Sequence, residues 1–300
     1  GPASHSVAEL SRLMIGDEPP QIARRPPEYG STALRVEGLE LPKQHEFGVA
    51  LRAVSLQVRA GEILGVAGVT GNGQSELLAA LAGETLLASA SHLELFGVDL
   101  RKLGPAQRRA LGLRYVPEER LGVATVPSLS LSENVLLTRR PREKSSGFVP
   151  WGALRALTSE LLRRFGVKAS GPEANAASLS GGNLQKYVVG REVGARPTLL
   201  MLAQPTWGVD VGAAASIKGE LFALRDAGAA LLIVSEDLDE LFELSDTLCV
   251  MANGSLSPLV DASIATRSQI GEWMSGLWQG ALAAASTDER SELARAHAKN

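Results

Sequence analysis

Residues 62–82 read EILGVAGVTGNGQSELLAALA and pass through three patterns in turn. The apolar run at 62–67 is typical of a buried strand, and a glycine-rich stretch follows it at 68–75. Residues 74–82 have the composition of a helix. The segment therefore predicts a strand that leads through a glycine-rich turn into a helix.

Further apolar runs extend this pattern along the chain. Residues 198–202 (TLLML) and 229–234 (AALLIV) predict two more buried strands, and the amphipathic stretch 216–226 between them predicts a helix. Shorter β-like runs at 33–36 and 54–58 predict strands ahead of the glycine-rich turn. Because the buried strands alternate with helices, we expect an α/β fold whose parallel sheet is covered on both faces.

The chain divides by composition into four segments. Residues 1–6 (GPASHS) resemble what remains after a tag is cleaved, and we leave them out of the fold. Residues 7–32 predict a helix and a proline-rich linker, which favours a piece of a longer polypeptide with another domain upstream. The folded domain is expected at 33–280, with a mostly helical subdomain at about 105–194. The Ala-rich, charged tail at 281–300 predicts a frayed helix or disorder.

The composition excludes several classes of protein. A formal net charge of −3 disfavours a general DNA or RNA binder. With 45% apolar and 21% charged residues, the chain has enough apolar content to bury a core. Cys249 is the single cysteine, so no internal disulfide forms, and the four histidines lack zinc-site spacing. No apolar run approaches the roughly 18 residues that a membrane span needs.

The segment 68–75 (GVTGNGQS) fits the phosphate-loop pattern G-x-x-x-x-G-K-[ST] at every position except the lysine, which is replaced by Gln74. Its glycines let backbone N–H groups converge on an anion, and the following helix points its positive end at the same place. A neutral amide in place of an ammonium weakens such a site by at most about 1.5–3 kcal/mol. The candidate phosphate-binding residues are Gly68, Gly71, Asn72, Gly73, Gln74, Ser75 and Glu76.

Four further motifs occur in a recognisable order along residues 33–280. They are YVPEER at 115–120, LSGGN at 179–183, QPTWGVD at 204–210 and SED at 235–237. In this order they resemble the Q-loop, the signature, the end of Walker B with the D-loop, and the H-loop of ATP-binding cassette (ABC) domains. The resemblance implies a P-loop NTPase fold, with a RecA-like core, an antiparallel β flank and a helical subdomain. It also implies ATP and Mg²⁺ as ligands.

Within the ABC family, GNGQSE, YVPEER, LSGGN and QPTWGVDVGA resemble the second nucleotide-binding half of tandem ATPases that serve sugar and nucleoside uptake, and more closely the nucleoside branch. This resemblance implies two partners, an N-terminal ABC half on the same polypeptide and transmembrane permease subunits. It implies a peripheral position at the cytoplasmic face of the membrane. No nucleic acid partner is expected.

The catalytic positions that the resemblance marks are altered in this chain. Ala203 and Gln204 stand where Walker B carries an Asp and a Glu, and an amide is a poor general base. Glu236 replaces the H-loop histidine, and its carboxylate repels a phosphate unless a cation intervenes. Glu118 stands at the Q-loop glutamine, where its carboxylate reaches Mg²⁺ or faces the permease. Losing the general base alone lowers the rate of ATP hydrolysis about 10²–10⁴-fold. Ser75 is then the remaining candidate Mg²⁺ ligand, and ATP and Mg²⁺ are expected to bind weakly or not at all.

The signature motif, by contrast, is intact. In ABC domains it acts across a head-to-tail dimer, where it caps the nucleotide held by the other half. The residues that would form this cap are Ser180, Gly181, Gly182 and Asn183, at the start of a predicted helix. The sequence therefore predicts a half that completes its partner's site and is nearly inert at its own.

Several single residues have two open interpretations. Phe47 stacks on adenine or is a core aromatic. Asp210 ties the two halves together or caps the next helix. Trp207 packs at the same seam or is a buried ring. Trp273 and Trp278 are expected to pack the C-terminal segment onto the core.

Two more regions complete the set of predictions. The run 132–134 is expected, from the resemblance, to lie in a region that faces the permease. Cys249, in an apolar stretch, is expected to be a small buried hydrophobe.

Three alternatives to the importer half stay open at this stage. A non-transport ABC protein acting on ribosomes or DNA predicts a basic stripe, which the charge balance does not supply. A structural dimerisation module would have lost nucleotide altogether. The cargo is a nucleoside or a monosaccharide, since no residue of this half is expected to touch it.

Overall fold

The computed structural model describes residues 24–85, 92–139 and 149–278. The strands of the central sheet are β3 (Ile63–Ala67), β6 (Leu113–Val116), β7 (Leu199–Ala203), β8 (Ala230–Ser235), β9 (Thr247–Ala252), β10 (Ser255–Leu256) and β11 (Val260–Asp261). Their order is β10-β9-β3-β8-β7-β6, and β11 pairs with β9. Strands β3, β6, β7, β8 and β9 run parallel, and the two short strands β10 and β11 are antiparallel to β9. The predicted α/β class is confirmed.

The three strands at the middle of this sheet are apolar and buried along their whole length. Every residue of β3, β7 and β8 is buried. A strand covered on both faces reads as a continuous apolar run, which is why these three were visible in the sequence. The helices that accompany the central sheet are α1 (Gln74–Ala82), α2 (Pro105–Ala110), α6 (Val211–Asp226), α7 (Leu238–Leu244) and α8 (Arg267–Met274).

A second sheet is antiparallel and lies toward the N-terminus. Its order is β2-β1-β4-β5, formed by β1 (Thr32–Leu41), β2 (Leu51–Arg59), β4 (His92–Leu95) and β5 (Val98–Asp99). Its buried side chains share one hydrophobic cluster with α1 and with one face of the central sheet. The expected antiparallel flank therefore covers the sheet on the side of α1.

The helical part of the domain packs against the other face. It consists of α3 (Leu131–Thr138), α4 (Trp151–Arg164) and α5 (Gly181–Val193). Gly190 of α5 lies against the ring of Phe165, so close that an added Cβ would be 2.6 Å from the ring. The segment 105–194 also contains β6, which belongs to the central sheet. The helices of the predicted subdomain therefore begin only at Leu131.

The C-terminal segment packs onto the core as predicted, since Trp278 is 3% exposed and Trp273 contacts the same cluster. Cys249 is fully buried in β9, as expected, and burial raises the pKa of its thiol to about 12. The predicted helix within 7–32 and the tail 281–300 lie outside the described residues. Among the described helices, none combines the length and apolar content that a bilayer crossing needs.

Candidate nucleotide site and signature face

The phosphate-loop segment joins β3 to α1 at the carboxyl edge of the central sheet. Strands β7 and β8 end at the same edge, in register with β3, because all three run parallel. Gly71 (φ 87°) and Gly73 (φ 110°) have left-handed backbone conformations that favour glycine. The segments that follow the strands surround a cavity of about 40 Å³ lined by Gly68, Thr70, Gly71, Gln74, Ser75, Leu78, Tyr115, Glu118, Ala203, Gln204, Val234 and Glu236.

Gln74 folds back into its own loop. Its Nε2 donates to the carbonyl of Val69 at 3.0 Å, and its Oε1 accepts from the N–H of Asn72 at 3.1 Å. Gly68 leaves room for this arrangement, since a Cβ there would be 2.4 Å from Gln74 Nε2. The side chain at the lysine position therefore binds the loop, and it occupies one N–H group that a phosphate loop offers to an anion.

Glu236 reaches the loop from the end of β8. Its Oε1 accepts hydrogen bonds from both the N–H and the hydroxyl of Thr70. A carboxylate is an anion, as a phosphate is, and hydrogen bonds to it are charge-assisted. The chain therefore supplies its own anion to this loop, and a phosphate must displace Glu236 to reach Thr70.

Gln204 is also turned toward the protein. Its backbone has φ 50°, a left-handed conformation that is uncommon for a residue with a side chain. Its Oε1 accepts from the N–H of Glu236 at 3.4 Å and lies 3.1 Å from Ser235 Oγ. The preceding Ala203 contributes only a methyl group. The end of β7 thus carries no carboxylate that could accept a proton from water.

The side chains at this edge offer few ligands to magnesium. Of the two carboxylates around the cavity, Glu236 is held by Thr70, and Glu118 lines the cavity together with the Ser75 hydroxyl. In residues 24–85, 92–139 and 149–278, no cluster of three or more His, Cys, Asp or Glu side chains is placed to hold a metal. Mg²⁺ is held by one or two carboxylates together with substrate phosphates, so Glu118 and Ser75 would hold it only with a phosphate bound in the loop.

The residues of the signature lie at the exposed start of α5. Ser180 precedes the helix, and Ser180 and Gly181 are exposed. The helix begins at Gly181, within the predicted start. Asn183 bridges neighbouring segments, with Nδ2 donating to Ser180 Oγ at 2.9 Å and Oδ1 accepting from the N–H of Lys168 at 2.8 Å. The Ser180 side chain makes no capping hydrogen bond to the helix, so it does not satisfy the N–H groups of the first turn.

Close packing explains the second signature glycine. A Cβ on Gly182 would be 2.9 Å from the carbonyl oxygen of Gly208, which follows β7. The start of α5 and the segment 204–210 are therefore in backbone contact. Asp210 caps α6, with Oδ1 accepting from the N–H of Ala213 at 2.8 Å.

Exposure decides two of the open interpretations. Phe47 is 89% exposed, so the core interpretation is wrong. Trp207 is 66% exposed, so the buried-ring interpretation is wrong. Glu76 connects α1 to the segment around Phe47, because its Oε1 accepts a hydrogen bond from the N–H of Val49 at 2.9 Å.

The run 132–134 serves the fold of this chain. Glu133 and Ser130 form a reciprocal cap at the start of α3, and Ser132 and Asn134 are buried. Asn134 accepts from the N–H of Val126 at 2.8 Å and donates to the carbonyl of the same residue at 3.1 Å. These side chains fix the segment that precedes α3.

Sequence reasoning missed two residues at this edge. Thr70 was an unspecified position of the loop pattern, and Arg120 was quoted within YVPEER without a role. Thr70 contacts Glu236, and Arg120 lies beside the signature helix. The polar character of position 70 was the available signal for the first. The second had no local signal, because its neighbours come from distant segments.

Comparisons with known proteins place this arrangement in a family. Residues 51–207 match the family described as ABC transporter. The chain is 34% identical to the nucleoside import ATP-binding protein NupA of Lactococcus lactis subsp. cremoris, across 89% of this chain and 53% of that protein. It is also 34% identical to the guanosine import ATP-binding protein NupO of Bacillus subtilis, across 90% of this chain and 53% of that protein. A third relative, the ribose import ATP-binding protein RbsA of Halalkalibacterium halodurans, is 34% identical across 91% of this chain and 54% of that protein.

The chain spans about half the length of these curated relatives. Among solved structures, an ATP-binding subunit of an ABC transporter superposes with a TM-score of 0.66 at 20% identity, covering 81% of this chain and all of that one. A nucleotide-free ATP-binding cassette from an ABC transporter gives 0.62 at 22% identity, covering 81% and 95%. These two likenesses concern the fold alone, whereas the family match and the relatives establish membership. The chain belongs to the ABC transporter family of ATP-binding proteins.

Proposed function

We propose that this chain is the second nucleotide-binding half of the ATP-binding subunit of an importer for nucleosides or related small sugars. The observation that carries the proposal is an asymmetry. Gln74 and Glu236 occupy hydrogen-bonding groups of the phosphate loop, while the signature at the start of α5 is unaltered and exposes Ser180 and Gly181. The relatives named above are import ATP-binding proteins about twice as long, which supports a tandem arrangement.

In this proposal the chain works as a lid for a nucleotide held by the upstream half. Ser180 and the N–H groups of Gly181 and Gly182 offer hydrogen bonds to the phosphates, and the dipole of α5 adds a positive potential there. The donors are held in place before the nucleotide arrives, which is the condition for efficient charge stabilisation. Asp210 and Trp207, on the neighbouring segment, are proposed to lie at the seam between the two halves.

The proposed second partner is a membrane permease, which would hold the subunit at the cytoplasmic face. A groove between β6 and α3 has a volume of about 130 Å³, and exposed apolar side chains surround it. They are Val123, Val126 and Leu137, which are 38–61% exposed. Apolar patches rimmed by polar residues are typical of protein contact sites.

We expect the chain alone to hydrolyse ATP far more slowly than 1 s⁻¹, the lower edge of ordinary enzyme rates. Gln204 replaces the general base, and Glu236 blocks the loop, so neither the water nor the phosphates are prepared for reaction. Phosphate release by the purified chain at saturating MgATP measures this. Turnover near 1 s⁻¹ contradicts the inert-site proposal.

Replacing Glu236 with alanine is expected to strengthen nucleotide binding to the chain about 10-fold or more, because the variant removes both a bonded competitor and a repulsive charge. Calorimetric titration with MgATP and with MgADP measures the change. The matched control is Asp239→Asn, which removes one negative charge from an exposed carboxylate in the following helix. Equal affinities for the Glu236 variant and the parent chain contradict the prediction.

The filled loop also favours a second candidate, a dimerisation module that no longer binds nucleotide. The same titration separates the two. Weak but measurable binding of MgATP by the parent chain supports the proposed half, and no binding even after Glu236→Ala supports the module. The third candidate, a cassette acting on nucleic acid, has no support in the net charge of −3.

A further inference from the structure

Arg120 is held rigidly between the segment after β6 and the signature face. Its Nε donates to Gln185 Oε1 at 2.6 Å, and its Nη2 donates to the carbonyl of Trp207 at 2.6 Å. The guanidinium also lies over the Trp207 ring, 4.8 Å from the ring centre. Three contacts to two other segments therefore fix the position of this side chain.

The acceptor on α5 is itself fixed. Gln185 is 1% exposed, and its Nε2 donates to the carbonyls of Gln204 at 3.1 Å and Pro205 at 2.7 Å. These bonds determine which way the amide points, so its oxygen faces Arg120. The conformational entropy of the long arginine side chain is therefore already lost before any ligand binds.

The third nitrogen of the guanidinium points at the signature. Nη1 lies 3.7 Å from the Cβ position of Gly181 and 3.5 Å from that of Gly208. Within the described ranges it donates to no protein acceptor and forms no ion pair with a carboxylate. The acceptors of the other two nitrogens are neutral, an amide and a peptide carbonyl.

This placement is unfavourable for the isolated chain. The N-terminus of a helix carries a positive potential, so a cation beside the first turn of α5 is repelled. An anion at that place reverses the sign of both contributions, because the helix and the guanidinium then attract the same ligand. The Glu118 carboxylate attracts the guanidinium through space but does not bond it. A prearranged cation that bonds only neutral acceptors beside an uncapped helix start indicates an anionic ligand.

We propose that Arg120 contacts the triphosphate of the ATP bound by the upstream half, as a charged member of the lid beside Ser180 and Gly181. This inference rests on the proposed function, and it adds a cation to a cap otherwise built from neutral donors. Trp207 and Gln185 are positioning residues in this arrangement, since they hold Arg120.

The test uses the full-length subunit with its permease, reconstituted in vesicles, and measures kcat and KM for ATP. Arg120→Met is expected to raise KM for ATP about 10–100-fold, the effect of one charge-assisted bond. Arg120→Lys retains the positive charge but lacks the guanidinium that bonds Gln185 and Trp207. Its KM for ATP is expected to be close to that of the parent. The control is Arg155→Met, which removes an arginine from an exposed ion pair on α4. Ser180→Arg is measured in parallel.

The outcomes separate the inference from the proposed function. A raised KM in Arg120→Met with recovery in Arg120→Lys supports the contact. Equal impairment of both variants assigns the guanidinium a structural role and overturns the inference. Parent-like kinetics in Arg120→Met, with activity lost in Ser180→Arg, overturns the inference while the proposed function stands. Parent-like kinetics in both Arg120→Met and Ser180→Arg overturn the inference and the proposed function together.

Discussion

Replacing Ser180 with arginine is expected to lower ATP turnover by the complete transporter about 10²–10³-fold, as the loss of a charge-stabilising donor does in other enzymes. The side chain is exposed at the start of α5, so the larger residue has room and the fold is retained. The bulk and flexibility of the arginine side chain, however, keep the first turn of α5 away from the nucleotide that the upstream half binds. Phosphate release by the reconstituted assembly measures the effect.

Two controls distinguish this effect from a general disturbance of the surface. Ser178→Arg places the same residue at an exposed position two residues earlier and is expected to leave turnover nearly unchanged. Ser75→Ala, in the chain's own loop, is also expected to have little effect, because that loop is filled by Glu236. Undiminished turnover in Ser180→Arg, or a large loss in Ser75→Ala, contradicts the proposed division of labour between the two sites.

Replacing Arg108 with methionine is expected to lower the free energy of unfolding by about 4 kcal/mol. Arg108 is 2% exposed, and its guanidinium donates to carbonyls of α1 and of the segment before α2. The acceptors are the oxygens of Ala80, Leu81, Leu100 and Leu103, at 2.7–2.8 Å. The carbonyls of Ala80 and Leu100 also accept a backbone N–H, so methionine mainly leaves the buried carbonyls of Leu81 and Leu103 without this donor.

Chemical denaturation measures the loss, and the melting temperature is expected to fall by roughly 10 °C. Burial lowers the pKa of Arg108, yet the group stays charged, and a cation near the C-terminus of α1 is favourable. Arg155→Met, in an exposed ion pair, is the control and is expected to change stability by less than about 0.5 kcal/mol. A loss below about 1 kcal/mol in Arg108→Met contradicts this account.

Much of the fold is readable from the sequence, for a physical reason. Strands β3, β7 and β8 are covered on both faces, so each must be apolar along its length. The glycines of the loop are required by the backbone conformation at Gly71 and Gly73. Less regular elements escaped prediction, for example β6, whose burial is interrupted at its two middle residues.

The sequence alone identifies Gln74, Gln204 and Glu236 at the positions where the resemblance implies a lysine, a glutamate and a histidine. What those side chains do instead was decided by the tertiary structure. Parallel pairing brings the end of β8 beside the loop after β3, so Glu236 meets Thr70 across 166 residues of chain. Arg120 meets Gln185 and Trp207 in the same way. Contacts between side chains so far apart in sequence depend on sheet register and helix packing, which no local pattern encodes.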